Sequence, residues 1–373
     1  MVGHAYMNDK FSAIFCNLME KEINDFGIAS MFWEEFYSKH IKELTFYMRE
    51  FEVNSILEFD SIEDLREFDS EFLLNVDSEI ITNICNSLEC NPNDIDDISV
   101  INAGLTNVSF AFWCNGVKYV YRHPGGTAGN LIDRKSELFC QLAAKDMGID
   151  KSVIKMDLSG WKLSYFVKEA KNCNFEKSPE QLKMGMEFLH RLHSLKTDNT
   201  IKVFDDVEEG KKLMRIASAT KGNLLREFAN EVEKAEKLYE YVKKDAKRLG
   251  YKLVPCHNDT YEPNYLYDKN GEMYLIDWEY AGLNYEANDI CCITCRYDWT
   301  KEQIEKYFRA YFGRKLNEDE HRFYWAFHCI CGFYWFNWGL YKGAVGDDDG
   351  FFFLPAYRNF TKYIDKALES YEG

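Results

Sequence analysis

Between residues 98 and 123 the chain runs through three β-type segments in quick succession. "ISVINAGL" (98–105) and "NVSFAFWC" (107–114) are rich in β-branched and aromatic residues, and Asn115-Gly116 turns the second into "VKYVYRH" (117–123). A helical pattern follows over 132–147, with Leu138, Leu142 and Ala143 on one face, and then a further strand pair, "SVIKMD" and "KLSYFVKEA", around "LSGW". From about residue 180 the pattern is mostly helical. A sheet-rich segment passing into a helix-rich one predicts an α+β chain of two lobes, a small β-rich N-lobe over 93–170 and a larger helical C-lobe over 171–373. Residues 1–92 read as an acidic helical extension, closed by the break "NPND" at 91–94. Ligand clefts favour such junctions between lobes.

The charge balance narrows the partners. Lys and Arg number 45 against 62 Asp and Glu, a formal charge of −17, which repels nucleic acid and anionic membranes. A local pocket can still bind phosphate through its own cations or a metal. No apolar run reaches the length of a membrane span; "CICGFYWFNWGL" (329–340) comes nearest and is too short. The opening "MVGHAYMNDK" lacks the layout of a signal peptide, so the twelve cysteines are expected to be reduced core thiols of a cytoplasmic protein. The cluster Cys291, Cys292, Cys295, Cys329 and Cys331 lacks paired Cys-x-x-Cys spacing, and buried thiols are expected there rather than zinc ligands. Leu182, Met186, Leu189 and His193 share a helical face, which makes His193 a packed residue.

The densest chemistry lies in "VPCHNDTYEPNYLYDKNGEMYLIDWEYAG", residues 254–282. A two-residue turn at Asn270-Gly271 would set Asn264 opposite Asp277, bringing an amide oxygen and a carboxylate within reach of one cation. Two hard oxygen ligands that leave room for water and phosphate suit Mg²⁺. Asp259, on the loop feeding this hairpin, is placed to face a substrate hydroxyl.

These residues carry a resemblance. "HNDTYEPN" followed by "LIDWEYAG" resembles the catalytic and metal-binding segments of choline kinases of the bacterial LicA type, within the choline/ethanolamine kinase and aminoglycoside phosphotransferase superfamily. "NAGLTNVSF", "YVYRHPGGTAGNLIDRKSE" and "WFNWGLYKGA" extend it over roughly residues 98 to 365. The resemblance implies a two-lobed protein-kinase-like fold, ATP as co-substrate and phosphorylation of choline with Mg²⁺. It assigns Asp259 as base or hydroxyl-orienting carboxylate, with Asn264 and Asp277 as metal ligands. It also implies nucleotide contacts from Gly104, Thr106, Asn107 and Arg122, with Arg122 paired to Glu137. His257 and Asp289 are expected to brace the catalytic loop.

A quaternary ammonium donates no hydrogen bonds, so it must be held by aromatic faces and nearby carboxylates. Trp335, Trp338 and Tyr341, at helical spacing in "FYWFNWGLY", are the expected rings, joined by Glu279, Tyr280 and Tyr285. Ethanolamine, an aminoglycoside or a sugar is the alternative acceptor, and a nucleotide-binding module without catalysis is the alternative of another class. The first 92 residues resemble the tail of nucleotidyltransferase domains; the opening loop and metal-binding Asp of such a domain are not among them, so no cytidylyltransferase activity is expected. The acidic run "GDDDG" (346–350) reads as solvated.

Overall fold

A computed structural model describes residues 5–23, 28, 31–47, 78–101, 107–124, 131–197, 201–345 and 350–373. The chain divides into two compact units, Met1–Val76 and Asp77–Gly373. In the first, the Asn8 side chain accepts the Phe11 amide at 2.9 Å and caps the helix Asp9–Glu22. The helix Trp33–Lys39 returns against it. Phe36 packs edge-on to Phe15 at 5.1 Å, Phe46 lies 4.4 Å from Phe11, and Lys39 pairs with Glu22 at 2.5 Å. These rings give the unit a small core of its own.

The second unit begins with the helix Glu79–Leu88, which the sequence division had left with the extension. Asn83 ties it to the sheet by donating to the Tyr121 hydroxyl at 3.2 Å. Five antiparallel strands follow: β1 (Ile95–Ile101), β2 (Asn107–Cys114), β3 (Val117–Pro124), β4 (Val153–Met156) and β5 (Lys162–Tyr165), in the order β1-β2-β3-β5-β4. Asn115 and Gly116 close the β2–β3 hairpin at φ 50° and 75°, the left-handed pair that a two-residue turn requires, and Cys114 faces Val117.

Between β3 and β4 lies the helix Arg134–Asp146, capped by Asp133. Its buried face differs from the one read from the sequence. Leu142 is exposed, and Ser136, Glu137, Cys140, Gln141 and Ala144 point inward. An apolar stripe was the wrong guide because this helix buries polar side chains that meet Arg122 and Asp150.

The C-lobe is built around the helix Glu318–Ala344, which packs on Gly350–Glu372, Asp206–Lys221, Glu286–Thr294 and Ala229–Leu249. Its aromatics point to all sides, as a helix surrounded by others must allow. A Cβ at Gly332 would lie 2.9 Å from the Ala356 carbonyl oxygen, so glycine is what lets the C-terminal helix approach there. Among the described residues no helix is long and apolar enough to cross a membrane. All twelve cysteines are free thiols, and the five of the suspected cluster are buried.

Candidate functional site

The strand Val254–Cys256 pairs antiparallel with Gly282–Asn284 and delivers His257, Asn258 and Asp259 at its end. The buried carboxylate of Asp289 accepts the amides of His257 and Asn258 at 3.0 and 2.7 Å. His193 Nε2 stands 2.9 Å from the same carboxylate, and its Nδ1 lies 2.8 Å from the Tyr311 hydroxyl. His193, Cys256 and Asp289 gather their ligand-type atoms within 4.8 Å of one another. Both ring nitrogens of His193 are already engaged, so packing accounts for that cluster. The Asp259 amide donates to His257 Nδ1 at 3.2 Å, which leaves the proton on Nε2 to reach the Ile276 carbonyl at 2.9 Å. Asn258 sits at φ 61°, held by its bonds to the Tyr280 carbonyl, Asn284 and Asn288. The strain of such a residue, about 1–3 kcal/mol, persists because its surroundings over-determine it.

The hairpin register departs from the one expected. The strands Tyr265–Tyr267 and Met273–Leu275 pair Tyr265 with Leu275 and Tyr267 with Met273, one residue out of step with a two-residue turn. The loop holds three residues between Asp268 and Glu272, because the Asp268 carboxylate accepts the amides of Asn270 and Glu272 and Gly271 adopts φ 84°. Asn264 therefore faces Ile276, whose amide donates to the Asn264 carbonyl oxygen at 2.9 Å. It ends the turn Glu262–Asn264, with Pro263 at its second position, while Asp277 takes φ 67° beyond the opposite strand. Asn264 and Asp277 both lie outside the ladder. Asn264 reaches Asp259 instead, its Nδ2 donating to the main-chain oxygen at 2.8 Å and to Oδ2 at 3.0 Å. Asp277 experiences the charges of Arg122, Lys162, Asp259 and His257.

The N-lobe supplies the cations. Arg122 on β3 donates through Nη2 to Glu137 Oε1 at 2.5 Å and to the Gly160 carbonyl at 2.9 Å, which forms the pair read from the sequence. Its Nη1 lies 3.9 Å from Asp277 Oδ1 and 3.7 Å from Glu279 Oε1. Neither that nitrogen nor Nε has a hydrogen-bond acceptor, though both are buried. Lys162, directly across the ladder from Arg122, adds a second cation whose pKa is lowered by burial and by Arg122. The strand "KLSYF" carried that signal, since pairing it with β3 brings Lys162 to the Arg122 rung. The cleft walls push the Asp277 carboxyl upward, against Arg122 and Lys162. Its side chain keeps 45% of its surface open to solvent, which damps the shift and favours the anion.

The aromatic residues divide. Trp335, Trp338 and Tyr341 are all buried. Trp338 Nε1 donates to the Tyr280 hydroxyl at 2.8 Å, and the Tyr280 ring stands edge-on to Trp335 at 5.9 Å. Tyr285 does not join them: it packs against Phe323 and Phe327, whose place earlier on the long helix holds it away from Trp335. Glu279 brings Oε1 within 3.7 Å of Arg122 Nη1. Arg296, in the turn after Glu286–Thr294, was missed. Its Nη2 donates to Asp259 Oδ1 at 2.5 Å, and its guanidinium carbon lies 3.3 Å from the Trp335 ring centre and 4.7 Å from that of Tyr261. A lone Arg in "CRYDW" gives no local sign of this, because its partners come from distant segments.

Gly104 and Thr106 lie outside the described residues, as does the side chain of Asn107, which opens β2; the runs at 125–127 and 346–349 lie outside them too. The residues present fit a phosphate-bound hard cation. Asn264 and Asp277 offer oxygen donors, and the unsatisfied buried nitrogens of Arg122 suit phosphate oxygens.

Residues 98–344 match the family model described as choline/ethanolamine kinase, and the segment before it lies outside the match. Protein LicA of Haemophilus influenzae is 28% identical over 286 residues, covering 72% of this chain and 78% of that protein. Among solved structures, choline kinase LicA from Streptococcus pneumoniae superposes with a TM-score of 0.59 at 19% identity, covering 78% of this chain and 98% of that one. An ethanolamine kinase of Plasmodium vivax gives 0.61 at 19% identity, covering 86% and 99%. These likenesses show the two-lobed protein-kinase-like fold.

Proposed function

This chain belongs to the choline/ethanolamine kinase family, and from that premise we propose that it transfers the γ-phosphate of ATP to the hydroxyl of choline. The observation that carries the reading is the meeting of three oxygen-bearing side chains, Asp259, Asn264 and Asp277, with the buried cation of Arg122. In this reading Asn264 and Asp277 hold Mg²⁺, which supplies charge neutralisation at the phosphates when bound. Arg122 directs Nη1 and Nε, neither of which has a hydrogen-bond acceptor, at phosphate oxygens, and Glu137 fixes the plane of its guanidinium. Asp259 orients the acceptor hydroxyl in line with the γ-phosphorus. The hydroxyl oxygen bonds to phosphorus, the bond from phosphorus to the β–γ bridging oxygen breaks, ADP leaves, and the hydroxyl proton passes to Asp259.

Three features support catalysis over silent nucleotide binding. Asp259 is held from both sides, by Asn264 and Arg296; its loop is strained at Asn258; and Asp289 anchors that loop. A binding module needs none of that. Ethanolamine is the second acceptor, because relatives of both kinds share the fold. ADP release measured with choline, ethanolamine, an aminoglycoside and a sugar tests the proposal. Turnover that depends on choline and Mg²⁺ supports it; ATP binding with no acceptor-dependent turnover removes it in favour of a binding module.

A further inference from the structure

Two of the rings that a quaternary ammonium would need, Trp335 and Trp338, already face cations of this chain. Arg296 stacks on Trp335 with its guanidinium carbon 3.3 Å from the ring centre, and Lys342 places Nζ 5.5 Å from the ring centre of Trp338. Phe353 lies a further 5.0 Å from the Trp338 ring. Arg296 also neutralises the nearest acid, since it pairs with Asp259 at 2.5 Å while only 9% of its side chain is exposed. A cationic head group entering against Trp335 meets a ring already stacked by Arg296 and a carboxylate already paired with it. It must displace Arg296 or accept a site whose charge is already balanced.

We propose that Arg296 is a specificity-determining residue of the acceptor site: its guanidinium takes the place of the substrate cation on Trp335 and Asp259. The acceptor class thereby widens to uncharged small alcohols with a compact apolar head. This rests on the phosphotransfer reading and deepens it. A quaternary ammonium keeps its shape complementarity to the rings and loses its electrostatic advantage. An uncharged head of the same shape binds beside the Arg296–Asp259 pair without breaking it.

The test compares choline with dimethylbutanol, the uncharged isostere in which carbon replaces the quaternary nitrogen. In the full chain with Mg·ATP, kcat/KM for choline over dimethylbutanol is expected to be below about tenfold in the wild type. Arg296→Gln should raise that ratio by about tenfold or more, because it frees a ring face and a carboxylate. Arg296→Lys, which keeps the charge, should leave the ratio within about threefold of wild type. A wild-type preference for choline above about tenfold overturns the inference, and so does a ratio that Arg296→Gln leaves unchanged or lowers. Phosphate transfer with an unexpected ratio removes only this inference; no transfer to either alcohol by the wild type removes the phosphotransfer reading with it. The wild-type and Lys measurements stand even if the Gln variant fails to fold.

Discussion

One amide nitrogen of Asn264 donates to two oxygens of Asp259, the main-chain carbonyl at 2.8 Å and the carboxylate Oδ2 at 3.0 Å. Asn264 thus offers a donor that positions Asp259 and keeps an oxygen for a cation. Asn264→Asp retains the oxygen and loses the donor. It should lower kcat by roughly 10–100-fold with the Mg²⁺ requirement little changed, whereas Asn264→Ala should lower kcat and also raise the Mg²⁺ needed for half-maximal rate. Titrating Mg²⁺ against initial rate for both variants separates the roles, and identical Mg²⁺ curves for the two would show that Asn264 holds no metal.

Arg122 and Glu137 form a buried pair with side chains 7% and 1% exposed. Arg122→Met leaves Glu137 with Arg134 as its paired cation among the described residues and should destabilise the fold by about 3–5 kcal/mol. Adding Glu137→Gln removes the buried charge and should recover most of that loss in urea unfolding, while ATP turnover stays low in both variants. A double variant as unstable as the single one would argue that packing, not charge, governs this site.

Much of this was legible because local patterns and tertiary structure agreed. Asn115-Gly116 turned the strand pair where the sequence placed it, and the helix Pro179–His193 buried the face of Leu182, Met186, Leu189 and His193. The second hairpin misled because Asp268 captures two loop amides with its side chain, which shifts the register by one residue. Leu142 misled because Glu137 and Gln141 occupy the buried face of their helix. Arg296 was invisible in sequence because its partners, Asp259, Tyr261 and Trp335, lie 35 to 39 residues away along the chain and meet it only in the folded lobe.

Asp206 is buried and accepts a hydrogen bond from Asn284 Nδ2 at 2.9 Å. Burial pushes its carboxyl up to about 8, with Asp205 and Asp289 adding to the effect and the Asn284 bond opposing it. The unfolded chain ionises this group near pH ~4, so between there and about pH 8 the native state holds the extra proton and stability falls as pH rises. Asp206→Asn keeps an oxygen for Asn284 and removes that penalty. Its stability gain over wild type should be small near pH ~4.5 and grow to several kcal/mol, on the order of 5 at most, by pH ~8. A gain that does not vary with pH would place the origin elsewhere.

The central claim is that Asp259 presents an acceptor hydroxyl to the nucleotide, and single-turnover phosphate transfer by Asp259→Asn measures it most directly. With saturating Mg·ATP and acceptor, the variant is expected to bind ATP as the wild type does and to transfer phosphate about 10²–10⁴ times more slowly. Transfer at a rate near that of the wild type would contradict the account.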